Sequence, residues 1–294
     1  MNWKLRSTGL LIVALAGTLI AGGKATAQKP DSKDEKPLTK ETAMLAKVFF
    51  KYHDMNALSQ KIHGKMTLRI GEAEYKVDFE STLISAQPNK FRIVSKVTLQ
   101  GEEKHGTVYS DGKSVWDWDE DAKQYSMQPF EPIIQNMDDF AGWVVNRSGL
   151  DMTLLFFLKA ASPDTFKLPK GVEKMNLESA LEIKNYPTQE IDGTKMYLVP
   201  VPLDEKDAEE KGESCTLYVD AKDMLVRRMQ MILKWGNDKD PKYKGGLEMM
   251  MTYDAIKSDT KPTEKDFTFT PPADATRMDL VKPVFSRTLD KFDK

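Results

Sequence analysis

The 294-residue chain contains one cysteine, Cys215, and three histidines, His53, His63 and His105. A single thiol excludes an internal disulfide, so stability has to come from a packed core even in an oxidising compartment. The sequence has no Gly-x-Ser-x-Gly, His-Glu-x-x-His or phosphate-loop pattern, so no nucleophile–base pair or metal cluster is in view. The expectation is a non-enzymatic protein with no metal and no cofactor. An excess of positive charge is also lacking. The formal net charge is −2, and it falls to −5 if Lys4, Arg6 and Lys24 leave with a leader. That balance excludes nucleic acid as an expected partner and gives no attraction to an anionic membrane surface.

Long hydrophobic runs are scarce as well. The main one, Leu10 to Ala21, is broken by Gly17 and Thr18 and falls short of the roughly 20 residues a helical span needs. Lys4 and Arg6 precede it and Ala25 and Ala27 follow, so residues 1–27 read as a secretory signal peptide cut after Ala27. Gln28 then stands where a bacterial lipoprotein needs cysteine. The expected product is a soluble, monomeric periplasmic protein. Residues 28–40 are charged, carry two prolines and cannot bury much apolar surface, which predicts a flexible linker. Residues 41–294 are expected to form one domain.

What is present is periodicity. Met44, Val48, Phe49, Tyr52, Met55 and Leu58 recur at helical spacing, predicting a helix over Glu41–Leu58. The period then changes to two. Ile62, Met66, Leu68 and Ile70 alternate with Lys61, His63, Lys65, Thr67 and Arg69. Tyr75, Val77, Phe79 and Leu83 repeat the pattern, as do Phe91, Ile93, Val97 and Leu99. Such strands have one wet and one dry face, as antiparallel sheets allow. Asp111-Gly112 and Asp192-Gly193 predict hairpin turns. In the strand after the first of these, Trp116 and Trp118 share one face, and Val115 and Asp117 the other. The acids Asp119, Glu120 and Asp121 fall in the next turn, without the spacing of a calcium loop, and read as solvated.

Pro132–Val145 and Asp151–Ala161 predict helices, and Leu154 to Leu158 is apolar on every side, as a helix buried between two surfaces would be. Strands resume over Leu181–Asn185, Gln189–Ile191, Lys195–Leu203, Ser214–Val219, Met224–Trp235 and Gly246–Ile256. Short turns make sequential antiparallel pairing the economical topology. Met229 and Met231 share a face with Leu225 and Leu233, and Met249 and Met251 with Leu247 and Tyr253. Methionine fills gaps in cores and also lines surfaces that adapt to varied ligands, and both readings stand. Thioether binding of copper is a weaker third, because no histidine accompanies the sulfurs. Cys215 shares its parity with Leu217 and Val219 and reads as a buried, inert thiol.

Three short motifs carry a family resemblance. Ser110-Asp111-Gly112-Lys113-Ser114-Val115-Trp116 resembles the Ser-Asp-Gly-Lys-Thr-Leu-Trp hairpin of the periplasmic lipoprotein carrier family LolA. Asp266-Phe267-Thr268-Phe269-Thr270-Pro271-Pro272 is similar to that family's closing motif, and Gln87-Pro88-Asn89-Lys90-Phe91 to its Arg-Pro-Asn-x-Phe turn. The resemblance spans about Thr42 to Asp279 and implies an α+β fold. That fold is an unclosed antiparallel β-barrel of about ten to eleven strands, with helices covering a concave apolar face. It also implies a lipid or acylated lipoprotein as ligand, with a membrane donor or acceptor protein as a further partner. The alternative is an envelope sensor or protein-interaction module on the same fold. The expected lining is Phe79, Phe91, Ile93, Trp116, Trp118, Met229, Met231, Met249 and Met251, with Phe156 and Phe157 from a helical lid. The family's lid-latching arginine is replaced by Gln87, which makes weaker hydrogen bonds than a guanidinium.

Overall fold

The computed structural model describes residues 39–131, 147, 151–158, 185–201, 212–235 and 245–289. The expected signal peptide, nearly all of the linker and the helix over Pro132–Val145 lie outside the described residues. So do most of the strand over Leu181–Asn185 and residues 202–211 and 236–244.

The first helix, α1 (Lys40–His53), starts where Thr39 turns its hydroxyl onto the Thr42 amide at 3.1 Å, with Glu41 in the first turn and Lys51 and His53 in the last. Both charge placements suit the helix dipole. The helix is shorter than the sequence suggested. Asp54 caps it, and Leu58 is already in β1 (Ala57–Ile70), so the helical spacing of Met55 and Leu58 is coincidental. Strand pairing supplies the reason, since Ala57 and Leu58 are paired with Ala86 and Ser85.

Five more strands follow through short turns: β2 (Ala73–Ala86), β3 (Lys90–Leu99), β4 (Glu102–Asp111), β5 (Ser114–Asp119) and β6 (Gln124–Pro129). Gly112 turns the β4–β5 hairpin with φ +88°, a conformation that costs glycine little. A short buried helix, α2 (Met152–Phe157), precedes β7 (Thr188–Ile191), β8 (Thr194–Pro200), β9 (Ser214–Asp220), β10 (Val226–Trp235) and β11 (Gly245–Lys257). The chain then passes through α3 (Glu264–Phe267), β12 (Thr276–Arg277) and α4 (Val284–Leu289).

The twelve strands among the described residues form one sheet in the order β12-β6-β5-β4-β3-β2-β1-β11-β10-β9-β8-β7. The sheet is unclosed and antiparallel apart from the β12–β6 pair, as an open half-barrel requires. Pairing is sequential within β1–β6 and within β7–β11, as expected. The two runs are joined by β1 and β11, both long strands, rather than by neighbours in sequence. The strand missed in the sequence is β12, too short to show a period.

The C-terminal segment wraps the β6 edge. On the outer face of the sheet, α3 sits over β3, where Lys90 Nζ meets Glu264 at 2.6 Å, and the Phe269 ring packs on Tyr109, Trp118 and Tyr125 at 5.3–5.8 Å. Strand β12 then lies beside β6, and α4 reaches the inner face, where Phe285 meets Phe79 edge-on at 5.3 Å. Covering an edge strand in this way hides unpaired backbone groups that would otherwise invite pairing with another chain.

Candidate functional site

The inner face is built by register. Leu217, Met229, Met251, Gly64, Phe79 and Val97 lie abreast across β9, β10, β11, β1, β2 and β3. The next row carries Cys215, Met231, Met249, Met66 and Val77. Of the expected lining residues, Phe79, Phe91, Ile93, Met229, Met231, Met249 and Met251 share this face and are at most 2% exposed. Phe156 and Phe157 of α2 close over it, and Phe156 meets Phe49 and Tyr52 of α1 at 6.2 and 6.1 Å. Gly64 is required by this packing: a Cβ there would stand 1.9 Å from the Phe79 ring. Fully burying each such side chain stabilises the fold by roughly 1.5–3 kcal/mol.

Trp116 and Trp118 are not part of this lining. Register pairs Trp116 with Tyr109 and Met127, and Trp118 with Thr107 and Tyr125, on the outer face with Arg92 and the exposed Met127. Their inward neighbours are Val115, Asp117 and Asp119, which are buried. The inward aromatic face that the resemblance implies is not found, because Phe269 covers the outer side and lets these rings lie there half-exposed.

Helix α2 is tied down at both ends by side-chain amides. At its start Asp151 accepts from the Thr153 amide at 2.8 Å, capping the helix, and Gln60 Nε2 donates to Asp151 at 3.0 Å and to Thr153 Oγ1 at 2.6 Å. At its end Gln87 Nε2 donates to the Phe157 carbonyl at 2.6 Å. The position expected to latch the lid therefore does touch it, through one neutral hydrogen bond. Burial pushes the Asp151 carboxyl up to about 6, against the hydrogen bonds from Thr153 that favour its charged form. The Tyr253 hydroxyl faces the same carboxylate, and burial raises its pKa too. Cys215 nearby is pushed by burial up to about 12, which makes it the unreactive thiol the sequence suggested.

A polar seam crosses the inner face where α4 lies. Ser81, Ser95, Gly106 and Asp119 are abreast on β2 to β5, and the two serine hydroxyls are 2.8 Å apart. Arg287 of α4 reaches Asp119 at 2.5 Å and donates to the His105 carbonyl at 2.9 Å. Two residues before Asp119, Asp117 receives two hydrogen bonds from Arg147, each 2.9 Å, with both side chains buried. Burial raises the Asp117 carboxyl even though Arg147 opposes it. Asp119 is thus not a solvated turn acid, and Asp117, expected on the strand, is buried in an ion pair. Their parity with Val115 was the signal in the sequence, as was that of Gln60 with Ile62, while nothing in it singled out Arg147 or Arg287.

The outer face carries an open groove of about 380 Å³ lined by Lys61, His63, Glu80, Lys96, His105 and Glu120, among others. Its charges are mixed, and among the described residues no group of three potential ligands is arranged to hold a metal ion.

The fold is an open, antiparallel-dominant half-barrel sheet with an apolar inner face under short helices. The chain belongs to the family described as "Predicted periplasmic protein (DUF2092)", whose profile matches residues 66–281. This agrees with the periplasmic compartment expected from the sequence. No curated protein matches the sequence. Similar solved structures include the LolA superfamily protein NE2245 from Nitrosomonas europaea, 11% identical over 79% of this chain and 99% of that one, with a TM-score of 0.28. A DUF1329 family protein from Desulfovibrio piger is 10% identical over 79% and 98%, with a TM-score of 0.28. The MucA/MucB complex of Pseudomonas aeruginosa gives 9% identity over 79% of this chain and 62% of the other, with a TM-score of 0.30.

Proposed function

We propose that the protein is a non-enzymatic carrier that binds a hydrophobic ligand, a lipid or the acyl chains of a lipoprotein, on the inner face of its half-barrel. One observation carries this reading: a broad apolar face on an unclosed sheet, crossed by a polar seam only where α4 lies and covered by short elements. Three thioethers, Met66, Met249 and Met231, stand abreast at its centre and can re-pack around ligands of different shape. Each buried methylene adds roughly 0.8 kcal/mol, so an acyl chain binds well without polar anchoring. Native mass spectrometry with lipid extraction, on mature protein purified from its own periplasm, tests the reading. A defined lipid or acylated protein is expected to co-purify. A clean apo mass with no uptake of added lipid would overturn it.

The second reading is an envelope sensor or protein-interaction module. The closeness of packing favours it, since Met229, Met251, Phe156 and Phe157 are fully buried by the chain's own helices. In that case the outer face or an edge of the sheet receives a partner protein, and the inner face is only core.

A further inference from the structure

We infer that Met229, Met231, Met249 and Met251 form a site for a soft monovalent metal ion, copper(I) or silver(I), held by thioether sulfurs alone. The inference does not rest on the apolar-ligand reading, and either can stand without the other.

Sequence spacing separates these sulfurs, but the sheet brings them together. Met229 and Met231 on β10 stand directly opposite Met251 and Met249 on β11, and all four are buried on the inner face. Opposite residues on antiparallel strands have Cβ atoms about 5 Å apart, and alternate residues along a strand are about 6.6 Å apart. The four residues thus mark the corners of a rectangle whose centre lies about 4 Å from each Cβ. Each side chain turns about three single bonds, so an ion above that centre is within reach of all four sulfurs. Two further sulfurs flank the lower pair, since Cys215, Met231, Met249 and Met66 are abreast on β9, β10, β11 and β1.

Packing alone does not call for this composition. Buried strands are ordinarily filled by β-branched and aromatic residues, and methionine loses more side-chain freedom on burial than leucine or isoleucine does. Here four adjoining methionines are at most 2% exposed. The donors also choose the ion. Thioethers are neutral and soft, which suits copper(I), whereas magnesium, calcium and manganese take oxygen ligands. Leu217 lies beside Met229, and Leu233 and Leu247 continue the two strands, so the surroundings offer no oxygen or nitrogen side-chain donor along them. That setting holds copper in its monovalent state, because copper(II) seeks nitrogen and oxygen in a tetragonal arrangement. Histidine, cysteine and carboxylate side chains form no metal-binding group among the described residues, so they set up no rival site there. The single positive charge has a buried counter-charge close by. The Asp151 carboxylate faces Tyr253, the next inward residue after Met251.

The test uses the full mature chain, reduced and kept anaerobic, titrated with silver(I) and copper(I). Zinc(II), which prefers thiolate and imidazole ligands, is the control. Native mass spectrometry reads the stoichiometry, and X-ray absorption at the copper edge reads the donor atoms. One tightly held monovalent ion in an all-sulfur shell is expected, with no zinc bound at the same concentration. Leucine conserves the volume of methionine, so the variant with all four positions changed to leucine should keep its fold by circular dichroism. It should bind silver at least about 100-fold more weakly, more than the loss of an outer partner of a metal ligand costs. The smaller change Met231→Leu with Met249→Leu should already lose about tenfold, within the scale set by such outer partners. Cys215→Ala, and leucine at the exposed Met127, Met250 and Met278, should leave binding unchanged. Equal binding by the parent and the fourfold or double variant overturns the inference, as does failure of silver and copper to bind at all. Loss of binding in Cys215→Ala would assign the ion to the thiol and overturn it as well.

Discussion

Arg147 grips Asp117 with two parallel hydrogen bonds of 2.9 Å, one to each carboxylate oxygen, on the inner side of a strand whose outer side carries two tryptophans. The two residues are 30 positions apart, so this pair fastens the chain at Arg147 to the sheet. Gln60 and Gln87 fasten α2 itself, and Arg287 fastens α4. The elements covering the apolar face are thus registered by polar contacts, while apolar packing supplies most of the energy. A buried, bidentate pair suits that task because its geometry is specific even where its net contribution to stability is small.

Breaking the pair from one side leaves an uncompensated buried charge. Arg147→Met should therefore destabilise the protein by roughly 3–5 kcal/mol in urea unfolding, and replacing both residues, Arg147→Met with Asp117→Leu, should cost clearly less than the single change. Equal losses for the single and double variants would mean that Asp117 is satisfied by something other than Arg147.

Much of the sheet was legible because alternation is a local property. Phe79, Phe91, Ile93, Met249 and Met251 fall on the inner face that their parity predicted. Which side of a hairpin faces inward is not local when both sides carry large or charged residues. Between Trp116 and Asp117 hydrophobicity points one way and the structure the other, because Phe269, some 150 residues later in the chain, covers the tryptophans, and Arg147 neutralises the acid. The same limit hid the β1–β11 junction and the wrap of the C-terminal segment, both made by residues far apart in sequence. Gln87 was identified as the latch through its neighbours Pro88 and Asn89, but its single bond to the Phe157 carbonyl needed the structure.

Stability should fall as pH rises through the weakly acidic range. Burial holds the Asp151 proton up to about 6, above the ordinary value of 3.8, so the folded chain keeps it to a higher pH than the unfolded chain does. The stabilisation is complete below about pH 4, is lost as pH passes 6 and changes little beyond, a difference on the order of 3 kcal/mol. Asp117, raised by burial, slopes the same way, while Asp266, held low by hydrogen bonds from Thr263, slopes the other. Asp151→Asn keeps the capping oxygen and removes the titration. Thermal melts from pH 4 to 8 should show a flatter profile for that variant, and identical profiles would place the Asp151 proton release outside this window.

The tryptophans offer a check on which face is which. Trp116→Ala should leave the uptake of an apolar fluorescent probe unchanged, since the indole lies on the outer face. Phe269→Ala should red-shift the emission of Trp118, which loses the ring 5.8 Å away, and lower stability by roughly 1–3 kcal/mol for a partly buried aromatic. Loss of probe binding in Trp116→Ala, with the fold intact, would return that residue to the lining.

The tightest point of the inner face lies between Gly64 and Phe79, cross-strand partners on β1 and β2. The Phe79 ring covers Gly64 so closely that an added methyl group would stand 1.9–2.5 Å from three ring atoms, and Phe285 of α4 backs the ring at 5.3 Å. Gly64→Ala must push Phe79 outward against α4, an overpacking that costs roughly 1–3 kcal/mol. Because α4 moves with the ring, the loss should be accompanied by faster hydrogen exchange over Val284–Leu289. Phe79→Leu alone opens a small cavity, but in the Gly64→Ala background it should restore part of the loss, so the two changes combined should cost less than their sum. Strict additivity in urea unfolding would show that the methyl group is accommodated without the ring, and that α4 is not braced through Phe79.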